Sequence, residues 1–259
     1  MNLMKTNSHQ WPVTTGRPVP TDRGGSRHPS PATRHSFGFT LTELLVIISI
    51  MGVLAGFTIP VLSKVKEAQY KKVARVELER LATALEGYKA KYGAYPPGNK
   101  KTYALPADSS LLSQLYYELA GVTHNSVAKT FTTLDGVSTI SEAQYLQAYG
   151  VGGVVNSVPV QGGSEDAISA KNFLAGLKPS QFNEYVTNNS VRTTMIVTSV
   201  GGPADTYPPM SPGVNPFRYV YPGVNNPNGY DLWVQLVIKG QTNLICNWSR
   251  TVQLNSPLP

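Results

Sequence analysis

Three residues at the head of an apolar run could do chemistry together: Gly38, Phe39 and Glu43. Gly38-Phe39 sets a small residue before a large one, directly after a polar, basic stretch, and so offers a peptidase a site to cut. Cleavage there makes Phe39 the N-terminal residue and places its new α-amine four residues from Glu43. Glu43 is the only charged residue from Phe39 to Leu62. A carboxylate inside hydrocarbon costs about 2.5–3.5 kcal/mol on insertion scales, so it calls for a cationic partner. The N-terminal ammonium of an adjacent copy is such a partner. Pairing in low dielectric removes most of the burial penalty and contributes register specificity more surely than net stability. The competing reading is an acid tolerated at a shallow membrane interface beside the semipolar Thr40 and Thr42.

The element that must position this set is a long helix. Residues 39–62 form the apolar part, and at 1.5 Å per residue they reach about 36 Å, enough to span a bilayer. Gly52, Gly56 and Pro60 weaken that helix locally, which predicts pliancy during assembly. Gly52-x-x-x-Gly56 also has the small-residue spacing of close helix contacts. Residues 63–92 continue as an amphipathic helix, with Ala74, Leu78, Leu81, Leu85, Tyr88 and Tyr92 on one face. Gly93 and the pair Pro96-Pro97 predict its end. The first half suits lipid or a filament core, and the second half suits its own globular head. A rival reading is a secretory signal cut after Val53-Leu54-Ala55. The 38-residue polar prefix, the acid in the apolar run and the apolar character beyond Ala55 argue against it.

The run Phe37-Gly38-Phe39-Thr40-Leu41-Thr42-Glu43-Leu44-Leu45 resembles the class III signal of type IV pilins and of the pseudopilins of type II secretion. Pro60 falls where that family often has a helix proline. The likeness is specific over Phe37–Pro60, looser to about Pro97, and returns at Tyr230-Asp231-Leu232-Trp233. The resemblance implies that a prepilin peptidase cuts after Gly38 and methylates Phe39. It implies a single pass in the inner membrane with the head in the periplasm. Assembly with further copies, with other pseudopilins and on an inner-membrane platform would follow, giving a filament in the periplasm or cell envelope that supports type II protein secretion. Charge counting does not settle orientation, because basic residues flank the apolar run on both sides. Tyr92–Pro97 and Tyr230–Trp233 favour the major pseudopilin type. The long 98–190 region departs from a compact major head and leaves a minor or competence-type pilin open, whose head would bind DNA or a surface.

Composition bounds the remaining classes. Charged residues are 14% of the chain, against about 25% in an ordinary globular protein. The net charge of +7 is concentrated in residues 1–38, where Lys5, Arg17, Arg23, Arg27 and Arg34 face only Asp22. This polar, Pro- and Ser-rich segment reads as a leader removed on maturation. The body therefore carries no basic field, and no nucleic-acid partner is expected. Cys246, the only cysteine, rules out an intrachain disulfide and sits in an apolar strand-like setting that suggests burial.

The head, residues 93–259, reads as a helical and loop insert over 98–190 followed by a C-terminal antiparallel sheet over 191–259. Within the insert, helices are expected at Ser109–Ala120 behind an Asp108 cap, from Thr139-x-x-Glu142 to Tyr149, at Glu165–Leu177 and after Ser180, with loop at Gly150–Gly163. Strands are expected at Val191–Val200, Arg218–Tyr221, Tyr230–Ile238 and Asn243–Ser249, the last two joined by a turn at Lys239–Thr242. The fold class is α+β, a long N-terminal helix packed on an antiparallel sheet, in agreement with the pilin ladle that the resemblance implies.

Catalysis is not expected. Of the four histidines, His9, His28 and His35 lie in the leader and only His124 lies in the body, with no metalloprotease, nucleophile-elbow or phosphate-loop motif around it. A membrane-anchored enzyme is the least favoured class. Metal is a closer question. The loops at Asp205 and Asp231 offer carboxylates, Asn amides and carbonyls, hard oxygen donors that suit Ca²⁺. The alternative is that Asn and Gly make turns and Asp231 bonds the backbone.

Overall fold

The computed structural model describes residues 38–99, 112–160, 169–187, 190–200 and 214–256, with the side chains of 57–63 outside that description. The chain divides into two compact units, Met1–Gly52 and Val53–Pro259. Helix α1 runs Leu41–Tyr92 without a break, through the positions of Gly52, Gly56 and Pro60. A Cβ added at Gly52 or Gly56 would meet nothing within 4 Å. Its end is as the sequence predicts: Gly93 takes φ +79° and its N–H donates to the Lys89 carbonyl at 2.8 Å.

Among the described residues no helix is long and apolar enough to cross a membrane. The span expected over 39–62 includes the seven residues whose side chains are not described. The remaining stretch, Leu41–Gly56, reaches only about 24 Å at helical rise, short of a hydrocarbon core of about 30 Å.

In the second unit the amphipathic face of α1 is buried as its spacing requires. Ala74, Leu78, Leu81, Leu85 and Tyr88 are each at most 3% exposed. They share one core with Leu232, Val234, Leu236 and Ile245. Those four come from a sheet of strand order β10-β9-β8-β7, with β7 Arg218–Val220, β8 Asp231–Ile238, β9 Gln241–Cys246 and β10 Gln253–Leu254. All its pairings are antiparallel. The two-residue turn Lys239-Gly240 joins β8 to β9, with φ of +52° and +77°, a backbone that matches strand twist. Strand alternation sends Trp233, Leu244 and Cys246 to the opposite face, where they form a second cluster with Val220 and Trp248.

The 98–190 region corrects the sequence reading. It holds a four-stranded sheet of order β3-β2-β1-β4: β1 Val122–Asn125, β2 Thr130–Thr133, β3 Thr139–Ser141 and β4 Ser157–Pro159, with β4 parallel to β1. Helix α2 is only Leu115–Ala120, and residues 112–114 are not helical. The expected cap Asp108 lies outside the described residues. Helix α3, Glu142–Tyr149, is capped by Ser141 and not by Thr139, with Gln144 completing a reciprocal capping box. Thr139 and Ile140 instead pair with β2. Residues 169–177 are not helical, and Ser180 lies in a 3-10 turn that leads into β5 Phe182–Val186, paired with β6 Arg192–Ile196. Short threonine-rich runs look indifferent to strand or helix by spacing, and tertiary packing decides them.

Two buried carboxylates tie α1 to these elements. Glu77 accepts hydrogen bonds from Gln181 Nε2, the Thr198 and Ser199 hydroxyls and the Ser199 N–H. Glu118 on α2 is fully buried. It accepts from the Tyr88 hydroxyl at 2.9 Å and from the Val155 and Asn156 N–H groups at 3.0 and 3.1 Å. The Asn156 amide in turn donates to the Glu118 and Lys171 carbonyls, both at 2.7 Å, and accepts from Tyr92. Burial pushes the Glu118 carboxyl above the usual carboxylate range, outweighing the donors that pull it down. The folded state therefore keeps this proton to a higher pH than the unfolded chain does. Its contribution to stability is fully present below the unfolded value and is lost as pH rises through the folded value. Denaturant melts of wild type and Glu118→Gln across that window should show a downward slope with pH in the wild type that the variant lacks.

Candidate functional site

Thr40, Leu41, Thr42 and Glu43 build the start of α1. The Thr40 N–H and hydroxyl both donate to Glu43 Oε2, at 2.9 and 2.8 Å. In return the Glu43 N–H donates to Thr40 Oγ1 at 3.2 Å. The Leu44 N–H closes the first helical bond on the Thr40 carbonyl at 3.1 Å. This is a reciprocal capping box, which satisfies N–H groups that a helix start leaves without partners. The Thr-x-x-Glu spacing could have revealed it in the sequence. Glu43 thus has a role inside its own chain, and Oε1 has no partner among the described residues.

The residues around it are uncovered. Phe39 is 72% and Leu41 80% exposed, and every large apolar side chain from there to Leu54 is exposed. Phe39, Thr42, Glu43, Val46 and Ile47 line one open groove of about 400 Å³, so the structure brings Phe39 and Glu43 to one place. A contiguous apolar surface with one carboxylate set in it is a surface that lipid or other protein must cover.

The other candidate is the loop before β8. Asp231 is fully buried. Its Oδ2 accepts from the Val224 and Asn225 N–H groups at 2.8 and 2.7 Å and from Asn225 Nδ2 at 3.1 Å. Its Oδ1 accepts from the Asn226 N–H at 3.0 Å and from Asn226 Nδ2 at 3.2 Å. A Cβ at Gly223 would come within 2.7 Å of Oδ1, so only glycine admits this approach. Five N–H groups converge on one carboxylate, and their positive ends occupy the directions from which a cation would bind. Asp231 therefore does not fit the calcium role and takes the backbone-bonding one. Asp205 lies outside the described residues. Among the described residues no group of three or more His, Cys, Asp or Glu could hold a metal ion.

The remaining reactive types are absorbed by structure. His124 Nε2 lies 2.6 Å from Glu142 Oε1, and its ring stacks on Phe131 at 4.9 Å. Burial raises the Cys246 thiol above its ordinary value and the thiol lies in the second cluster, so it behaves as a small apolar side chain.

Residues 33–59 match the prokaryotic N-terminal methylation motif. The chain is similar to the type II secretion system core protein G of Pseudomonas aeruginosa, 37% identical over 73 residues, covering 28% of this chain and 51% of that protein. Against the protein of the same description from Vibrio cholerae, identity is 36% over 72 residues, covering 28% and 49%. Against that of Escherichia coli it is 41% over 69 residues, covering 27% and 48%. The chain thus spans about half the length of the curated relatives it matches. No solved structure matches it. The pilin-like and pseudopilin resemblance read from the N-terminal residues is borne out by these matches.

Two outcomes are expected. Glu43→Ala should remove the reciprocal half of the capping box and speed hydrogen exchange at the Thr40 amide, which donates to Glu43 Oε2, whereas Glu43→Gln, which keeps a capping oxygen, should leave that exchange near wild type. Asp231→Asn should cost about 2–3 kcal/mol in denaturant melts by facing an amide toward N–H donors. Calcium should shift the midpoints of wild type and Asp231→Asn equally, because the Asp231 carboxylate is taken up by N–H donors.

Proposed function

We propose that the chain is a structural subunit of a type IV pilin-like filament, a pseudopilus that supports type II protein secretion. The observation that carries this reading is the N-terminal motif. Gly38-Phe39 precedes a capped, unbroken helix whose large apolar side chains are exposed as far as Leu54 and whose only charged residue before Lys64 is Glu43. The match of residues 33–59 to the methylation motif supports the same reading. Prepilin peptidase removes residues 1–38 and methylates Phe39. The subunit waits in the inner membrane as a single pass over 39–62, with its head in the periplasm.

Assembly then moves the apolar helix from lipid into the filament core. Glu43 Oε2 stays with the Thr40 cap while Oε1 accepts the Phe39 ammonium of an adjacent copy. That contact compensates the buried charge only in the correct register. Gly52, Gly56 and Pro60 give the helix the pliancy to pack among its neighbours. Other pseudopilins and an inner-membrane platform complete the assembly. The head works by packing and not by catalysis.

Intact-mass analysis of the mature protein should show loss of residues 1–38 and one added methyl group. An N-terminus at any residue other than Phe39 would overturn the reading. Glu43→Gln should be processed normally yet fail to form filaments, although its helix cap is intact. Normal filaments from that variant would remove the pairing role.

A further inference from the structure

Where α1 leaves its apolar stretch, the charge of the chain becomes one-sided. Lys64, Lys66, Lys71 and Lys72 follow Leu62, and Glu67 is the only acid between Leu44 and Val76. Both Glu67 oxygens are taken: Oε1 accepts from Lys71 Nζ at 2.8 Å and Oε2 from Lys239 Nζ at 3.3 Å. The second contact joins two elements, because Lys239 belongs to the β8–β9 turn, and it places that turn beside Glu67. No acidic residue lies between Asp231 and Pro259, so this end of the sheet brings positive charge and no negative. Lys64, Lys66 and Lys72 are exposed and have no ion pair among the described residues. Five lysines thus surround one glutamate whose charge is already spent.

Helix geometry sets the depth of this cluster. From Leu62 to Glu67 the helix rises about 8 Å. The headgroup region beside a hydrocarbon core is about 5–8 Å thick on each side. With the apolar run in a bilayer through Leu62, Glu67 and the Lys239-Gly240 turn stand at headgroup level. The helix is bare here, since residues 64–66 and 68–70 are exposed. Lys64 and Lys66 lie about 200° apart around the axis, so their ammonium groups leave on opposite sides. Val65 and Tyr70 are 56% and 43% exposed, and an amphipathic ring such as that of Tyr70 settles at a membrane interface. We propose that these lysines form a basic collar that seats the base of the head on anionic phospholipid headgroups. Flexible ammonium groups that spread outward, and do not converge on one point, match a layer of phosphates. A second copy standing in the same membrane brings the same lysines to the same level, where like charges repel. The collar rests on the membrane reading of residues 39–62.

The test uses the full chain in lipid nanodiscs, which leave both membrane faces open. The discs are made from phosphatidylcholine alone or with phosphatidylglycerol as about a third of the lipid. Lysines are acetylated with a water-soluble reagent, and the rate at each site is read by peptide mass spectrometry. Lys64, Lys66, Lys72 and Lys239 should react about fivefold more slowly in the anionic discs, the factor that corresponds to about 1 kcal/mol per lysine at such a surface. Raised salt should restore their rates. Lys89 and Lys91, about 40 Å beyond Leu62 along α1, should react alike in both discs. Equal rates in the two discs at the four sites, or an equal slowing of Lys89 and Lys91, would overturn the proposal. Slow reaction in neutral discs that deepens with protein density would assign the lysines to a second copy and overturn it too. Failure of both discs to take up the chain would sink the membrane reading and the collar with it, whereas uptake with equal rates sinks the collar alone.

Discussion

An exposed apolar helix surface carrying a single carboxylate is the constraint on which this molecule turns. From Phe39 to Leu54 large apolar side chains face outward, and nothing among the described residues covers them. In water such a surface drives association, and in lipid it is at rest. Glu43 reverses that preference locally, because a carboxylate is poorly placed in hydrocarbon unless something donates to it. The capping box provides two donors from Thr40 and leaves one oxygen open. The helix start is thus internally satisfied in its hydrogen bonds but not in its charge, and the outstanding charge is what a correctly placed ammonium would neutralise.

The rest of the chain solves a related problem without cations. Glu77, Glu118 and Asp231 are all buried, the first two held by both N–H and O–H donors and Asp231 by N–H donors alone. Neutral donors at short range stabilise a buried carboxylate while adding no opposite charge to desolvate. Each of the three also spans elements. Glu77 joins α1 to the segment after β6, Glu118 joins α2 to α1 and the 155–156 turn, and Asp231 folds residues 223–226 onto β8. The amphipathic half of α1 is thereby fastened to the head by polar networks as well as by the apolar face running from Ala74 to Tyr88.

Legibility differed by element for physical reasons. The α1 face was plain because six apolar residues recur at helical spacing and Gly93 stops the helix. The β8–β9 hairpin was plain because β-branched and aromatic runs flank Lys239-Gly240. The β1–β3 strands were obscured, since Thr130–Thr133 and Thr139–Ser141 are three or four residues long and carry no period that separates strand from helix. Ser141 with Gln144 competed with Thr139 and Glu142 as helix start, and the difference is decided by β3 pairing with β2. At the candidate sites, Gly38, Phe39 and Glu43 were visible from residue type and spacing. The Thr40 cap emerged only from the structure, although its Thr-x-x-Glu spacing is a capping signature.

What the sequence alone determined is the chemistry of the N-terminus: a small-large junction, one acid four residues on, and an apolar helix too long for a small head to bury. Those are properties of neighbouring residues, and local spacing suffices to state them. What only the tertiary structure decided is the fate of Asp231, because a loop of Asn and Gly offers both oxygens and N–H groups. Which of them turn toward a carboxylate depends on the backbone path from Gly223 to Tyr230, and that path is set by contacts distant in the chain. Here the N–H groups turn inward, and the carboxylate that could have held a cation holds its own loop instead.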